Sequence, residues 1–314
     1  MKRIIQFTAA VALAFGLYSC DSDPLEDMPE DVPTTTFQSV DELLSDMEPE
    51  VSSFTVDVST GGTFTTNRGS EITIPANAFV DGSGQAVTGN VDLEFQEIFN
   101  ASDAITSGAF TISNGIPIGT GGAFFIGAEQ NGQALGVTPG QSVQVQIPSQ
   151  QTNQAMQLFT GGTSISTSPQ WAPLDTAQFW AWMNVVGNYF NVNMNRLMWV
   201  NCDYFTNPSW EDPVHFDLLG RTGLNSTNSQ LFVVEQSNLA TYPLQMGSNY
   251  SFMNSEVRNA KCNSGVSQVV VALAIYNNTI YLGHTTITPA AGTTYPIQMA
   301  AVTQADLQAF LNSL

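Results

Sequence analysis

Two histidines, His215 and His284, bound the acid–base chemistry open to this chain of 314 residues. His215 stands in Glu211-Asp212-Pro213-Val214-His215-Phe216-Asp217, where one imidazole and two or three carboxylates offer a divalent metal mixed nitrogen and oxygen ligands. The same residues make His215 with Asp212 or Asp217 a hydrolytic acid–base pair. They also describe a polar loop carrying an exposed histidine, and that is the reading we favour. His284 follows Gly283 beside a strand and reads as structural. Asp92, Glu94 and Glu97 form a second set, carboxylates on one strand face of the kind a glycosidase or a calcium site needs. Their alternation with Val91, Leu93 and Phe95 is also what any solvent-facing strand shows. The sequence holds no Gly-x-Ser-x-Gly elbow, no His-Glu-x-x-His and no Walker-type loop. It therefore assigns no catalytic residue, no metal and no cofactor.

The aromatic residues are a richer source. All five tryptophans, Trp171, Trp180, Trp182, Trp199 and Trp210, fall within 40 positions. Tryptophan is more often core than platform, yet an exposed indole stacks well on a sugar ring. Trp171 and Trp210 are the expected exposed pair, because each lies in a polar or proline-containing stretch.

Three cysteines complete the reactive set. Lys2 and Arg3 precede an apolar run over 4–16, too short for a bilayer crossing, which needs about 20 apolar residues, but right for a secretory leader. Leu17-Tyr18-Ser19-Cys20 then resembles the lipobox of bacterial lipoproteins, with Tyr18 larger than the residue usual there. The resemblance implies cleavage after residue 19, acylation of Cys20 and a lipid bilayer as partner. In an oxidising compartment the remaining Cys202 and Cys262 are expected to form a disulfide, worth about 4 kcal/mol in the chain-entropy model. Two buried free thiols are the alternative.

Lys and Arg number 7 against 27 Asp and Glu, a formal net charge of −20, and loss of Lys2 and Arg3 with the leader deepens the imbalance. Nucleic acid is excluded as a partner, since phosphate recognition needs clustered cations. Residues 21–50 carry eleven acids and four prolines. We read 20–52 as an acidic, flexible tether interrupted by one short helix, with Ser39 and Glu42 at capping-box spacing and Val40, Leu43, Leu44 and Met47 on one face. The start Asp21-Ser22-Asp23 with Glu26 and Asp27 also resembles the export signals of Bacteroidetes surface lipoproteins. That implies an outer-membrane, surface-exposed location.

After Val51 short alternating strands and glycine turns predict an all-β chain of two antiparallel sandwich-like domains, over 53–168 and 169–314. Asn131-Gly132 is a hairpin signal, here expected to join 124–128 to 143–147. Phe190, Val192 and Met194 alternate with Asn191, Asn193 and Asn195. Asn277-Asn278 links two strands, and a short C-terminal helix begins at Thr303 with Asp306 in its first turn. The stretch Gly61-Gly62-Thr63-Phe64, the turn Asn67-Arg68-Gly69 and Ile72-Thr73-Ile74-Pro75-Ala76-Asn77-Ala78-Phe79 resemble the opening of the ZU5 β-sandwich module. With Val87-Thr88-Gly89-Asn90-Val91 and Glu97-Ile98 they are similar to ZU5-like regions of uncharacterised Bacteroidetes lipoproteins. Ala76 and Asn77 replace the usual Pro and Gly. This resemblance implies a non-catalytic surface interaction or scaffold protein with an unknown surface protein or glycan as partner. Glycan binding through exposed tryptophans is the second expectation, and a hydrolase centred on His215 the third.

Overall fold

Alternation with period two decides where most of the sheet faces point. In Val143–Pro148 the side chains of Val143, Val145 and Ile147 are buried while Gln144 and Gln146 turn away, and in Tyr189–Met194 the buried Phe190, Val192 and Met194 alternate with Asn191 and Asn193. One face thus packs and the other is solvated, the antiparallel pattern. The computed structural model describes residues 34–149, 151–152, 155–177 and 179–314, and the side chains of 211 and 212 are not among those described. The expected leader and Cys20 lie outside the described residues.

The described chain is all-β and sandwich-like. One sheet runs in the order Val51–Asp57, Asn90–Ile98, Ile116–Gln130, Trp199–Phe205, Gln157–Thr160, Ala172–Pro173. Facing it across a shared core are Ala181–Val186, Tyr189–Met194, Val143–Pro148, Glu71–Ile74 and Gly62–Thr65, in that order. A second pair of sheets follows. Gln245–Met253, Glu256–Asn263, Trp210–Leu219 and Thr294–Gln298 make one, with its last pair parallel. Thr241–Pro243, Ser229–Glu235, Gln268–Tyr276, Thr279–Ile287 and Ala300–Val302 make the other.

The boundary at 168 expected from composition is not where the sheets divide. Ala181–Val186, Tyr189–Met194 and Trp199–Phe205 all pair into the first two sheets. The glycine- and serine-rich stretch before them is a loop within a sandwich. Asn131-Gly132 does turn the chain, but Ile116–Gln130 returns onto Gln133–Ala134, while Val143–Pro148 pairs with Tyr189–Met194 and Glu71–Ile74 in the opposite sheet. The Asn277-Asn278 hairpin forms as expected.

Gln268–Tyr276 is buried on both faces, which explains its unbroken apolar run. Val270, Ala272 and Ala274 face the core between the second pair of sheets, and Val269, Val271, Leu273 and Ile275 face the helices. Those helices correct the tether expectation for 34–50. Val40–Ser45 is capped by Ser39, whose hydroxyl accepts from the Glu42 amide at 3.1 Å, and it buries Val40, Leu43 and Leu44 in one core shared with Leu307 and Leu311 of Gln304–Leu311. Asp41 accepts from Gln230 Nε2 at 2.6 Å, and Asp46 from Gln304 Nε2 at 2.8 Å. Three apolar side chains on one helical face, with Met47 just past the helix end, are enough to dock an otherwise acidic segment. The C-terminal helix carries the capping box read at Thr303 and Asp306.

No disulfide joins Cys202 and Cys262; both are free and buried. Cys202 belongs to the core of the first sandwich and Cys262 to that of the second, so the two thiols serve separate cores as small apolar groups. Burial pushes the Cys202 thiol well up, with the Asp203 carboxyl adding to it, and burial with the Glu235 charge pushes Cys262 up to about 12. Neither is a nucleophile at neutral pH. Thiol titration of the leaderless chain carrying Cys20→Ser should find no reactive thiol when native and both in denaturant without reductant. Silence in denaturant would restore the disulfide.

Candidate functional site

The residues singled out in the sequence do not converge. His215 lies on Trp210–Leu219, where its Nδ1 accepts from the Asn259 backbone amide at 3.1 Å. Asp217, two positions on, pairs with Arg258 at 2.7 Å. Histidine and carboxylate are thus each held by the neighbouring strand rather than by one another. His284 stacks on Phe310 at 4.6 Å between centroids. Asp92, Glu94 and Glu97 do not share a face: Asp92 and Glu94 alternate outward, whereas Glu97, an odd step further, is buried and accepts from the Thr66 hydroxyl at 2.8 Å.

Of the two tryptophans expected to be exposed, Trp171 is buried. Its Nε1 donates to the Phe110 carbonyl at 2.8 Å and its ring meets Trp199 edge-on at 6.2 Å. The polar flank around it reflects loops that cover this core. Trp210 is half-buried where its strand begins. The exposed indoles are Trp180 and Trp182, 40% and 49% accessible. With Val185, Val186 and Tyr189 they place five exposed large apolar side chains within ten residues of one hairpin.

Register turns this hairpin into one end of an ordered surface. Ala181–Val186 is the outer strand of its sheet, and Trp182 lies opposite Asn193, Asn193 opposite Gln144, Gln144 opposite Thr73 and Thr73 opposite Thr63. The adjacent row reads Asn184, Asn191, Gln146, Glu71, Thr65. Trp180 pairs with Asn195, donating its amide to the Asn195 side-chain oxygen at 3.2 Å and receiving the Asn195 amide at 3.3 Å. All these side chains share the parity opposite to the buried Val143, Val145, Phe190, Val192 and Met194, so they lie on the outer face. Thr63 and Thr73 hydroxyls touch at 3.1 Å on that face.

Parity rather than loop composition marks the exposed indoles at 180 and 182. The signal was present: Trp180, Trp182 and Asn184 step by two into a Gly187-Asn188 turn, then Asn191, Asn193 and Asn195 step back with the same phase. Comparison with known proteins yields no family whose model matches the chain and no curated protein that matches it.

Proposed function

We propose that this chain is a non-catalytic binding protein of the bacterial cell surface, held by acylated Cys20 at the outer membrane and contacting its ligand with the exposed hairpin over 180–189. The observation that carries the reading is the concentration of Trp180, Trp182, Val185, Val186 and Tyr189 at one sheet edge. Exposed apolar clusters of this kind mark interaction sites, and tryptophan and tyrosine are the side chains that most often anchor them. The lipobox-like start and the ZU5-like opening support the same reading, as does the scarcity of cations, which leaves envelope material other than anionic polymers as the ligand.

The test is cosedimentation of the full chain, in detergent micelles, with isolated bacterial cell envelopes. Saturable binding is expected, reduced about tenfold or more in a Trp180→Ala, Trp182→Ala double variant, since truncating an anchoring aromatic costs at least 1–2 kcal/mol of affinity. The melting temperature should hold, because neither ring fills the core. Binding that never saturates, or that the double variant retains in full, would overturn the reading.

A further inference from the structure

Within that surface-binding reading, on which this inference rests, we propose that the outer face of the five-stranded sheet is a platform for a neutral polysaccharide chain. The rows Trp182, Asn193, Gln144, Thr73, Thr63 and Asn184, Asn191, Gln146, Glu71, Thr65 run across the strands. Neighbouring strands lie about 4.8 Å apart, close to the length of one hexopyranose ring, so each row offers one polar group per sugar over about 19 Å.

The groups themselves suit hydroxyls. A side-chain amide presents an acceptor and two donors together, and vicinal sugar hydroxyls present the complementary pair. Asn184, Asn191, Asn193, Gln144 and Gln146 enter no side-chain hydrogen bond among the described residues, although their strands are fixed on the other side by a fully packed core. Their backbones are thus held in place with the side-chain polar atoms unspent, so a ligand that takes them up orders side chains but no main chain. The outer face of the opposite sheet differs. There Asp92 already accepts from Thr55 at 3.0 Å, and Glu94 and Glu129 make the surface acidic.

Charge sets the ligand class. Glu71 is the one ionisable residue in the two rows, and neither contains Lys or Arg. Within these rows an anionic glycan would find no guanidinium or ammonium to pair with, and it would face a strongly acidic protein. A protein partner would need apolar anchors near the centre of its footprint, whereas the apolar groups lie only at the rim. Trp182 on the outer strand and Trp180 just before that strand begins stand there as adjoining stacking surfaces for the apolar faces of successive sugar rings.

Affinity electrophoresis of the full chain through gels containing xylan, mannan, a mixed-linkage glucan or polygalacturonate, with a cellulose pull-down, tests this. At least one neutral polymer should retard or retain the protein and polygalacturonate should not. A Gln144→Ala, Asn193→Ala double variant, altered only at the outer face, should bind about tenfold or more weakly at unchanged melting temperature, and Trp182→Ala likewise. If no neutral polymer binds while envelope cosedimentation persists, the glycan assignment falls and the surface-binding reading stands. If envelope binding is lost as well, both fall. Neutral polymer binding that the amide variant retains in full would also overturn the platform.

Discussion

Glu235→Ala should lower the unfolding free energy by about 3–5 kcal/mol, measured by denaturant titration at neutral pH. Glu235 is fully buried, yet it stands among donors: the Tyr242 hydroxyl at 2.6 Å and Asn263 Nδ2 at 3.0 Å reach one carboxyl oxygen, and Asn238 Nδ2 at 2.6 Å reaches the other. All three donors are themselves buried. Removing the acceptor leaves each with the penalty of an unmet buried polar group, about 1–3 kcal/mol apiece, lessened by the desolvation cost the carboxylate no longer bears. The damage would spread, because Asn263 also accepts from the Ser209 amide at 3.1 Å and the Asn238 carbonyl accepts from the Thr120 amide at 3.0 Å, tying the second pair of sheets to the first. Glu235→Gln, which keeps one acceptor, should lose less. A loss below about 1 kcal/mol for the alanine variant would show that water replaces the carboxylate at no cost.

Legibility in the sequence tracked how local the physics was. Period-two alternation in 143–148 and 189–194, the caps at Ser39 and Thr303 and the Asn277-Asn278 turn are set by neighbours within a few residues, and they were read correctly. Pairings across long loops were not. Nothing near Val143 indicates that its strand crosses to the opposite sheet to meet Glu71–Ile74 and Tyr189–Met194. The cysteines misled for a similar reason. Compartment argued for a disulfide, but the thiols belong to different cores, a fact decided by the fold of 202–262 as a whole. Buried carboxylates such as Glu235 were invisible, because their partners at 238, 242 and 263 are ordinary surface residues by type. At the candidate site the alternating asparagines were seen but their rows were not, since a row needs the register of five strands.

Asp203 should give the protein an unusual pH profile, with stability falling as pH rises from about 4. A slip in register between Asn201 and Asp203 against Ile116–Gln130 leaves Asn201, Cys202 and Asp203 all fully buried. The Thr120 hydroxyl donates to Asn201 Oδ1 at 3.2 Å, and neither Asp203 carboxyl oxygen receives a well-formed hydrogen bond. Burial therefore pushes this carboxyl well above the usual range, against a smaller opposing pull from Thr120 and the Gly121 amide. A raised folded-state pKa means that the native chain holds its proton more tightly than the unfolded one. The stabilisation is complete below the unfolded value of 3.8 and is lost progressively as pH climbs toward the folded one. The hydrogen-bonded Asp57, Asp81 and Asp306, with lowered values, act in the opposite sense and in another window: their contribution is present above about 3.8 and fades only as pH falls below it. From pH 5 to 8 these three are constant, and the difference between the wild type and a variant at 203 reads Asp203. Asp203→Asn cannot ionise, so its melting temperature should decline less over that interval than the wild type's and should exceed it at pH 8, less whatever the added, unpartnered amide donor costs. The two histidines are common to both chains and cancel in the difference. Parallel melting curves from pH 5 to 8 would mean that Asp203 finds a partner for its charge inside the core.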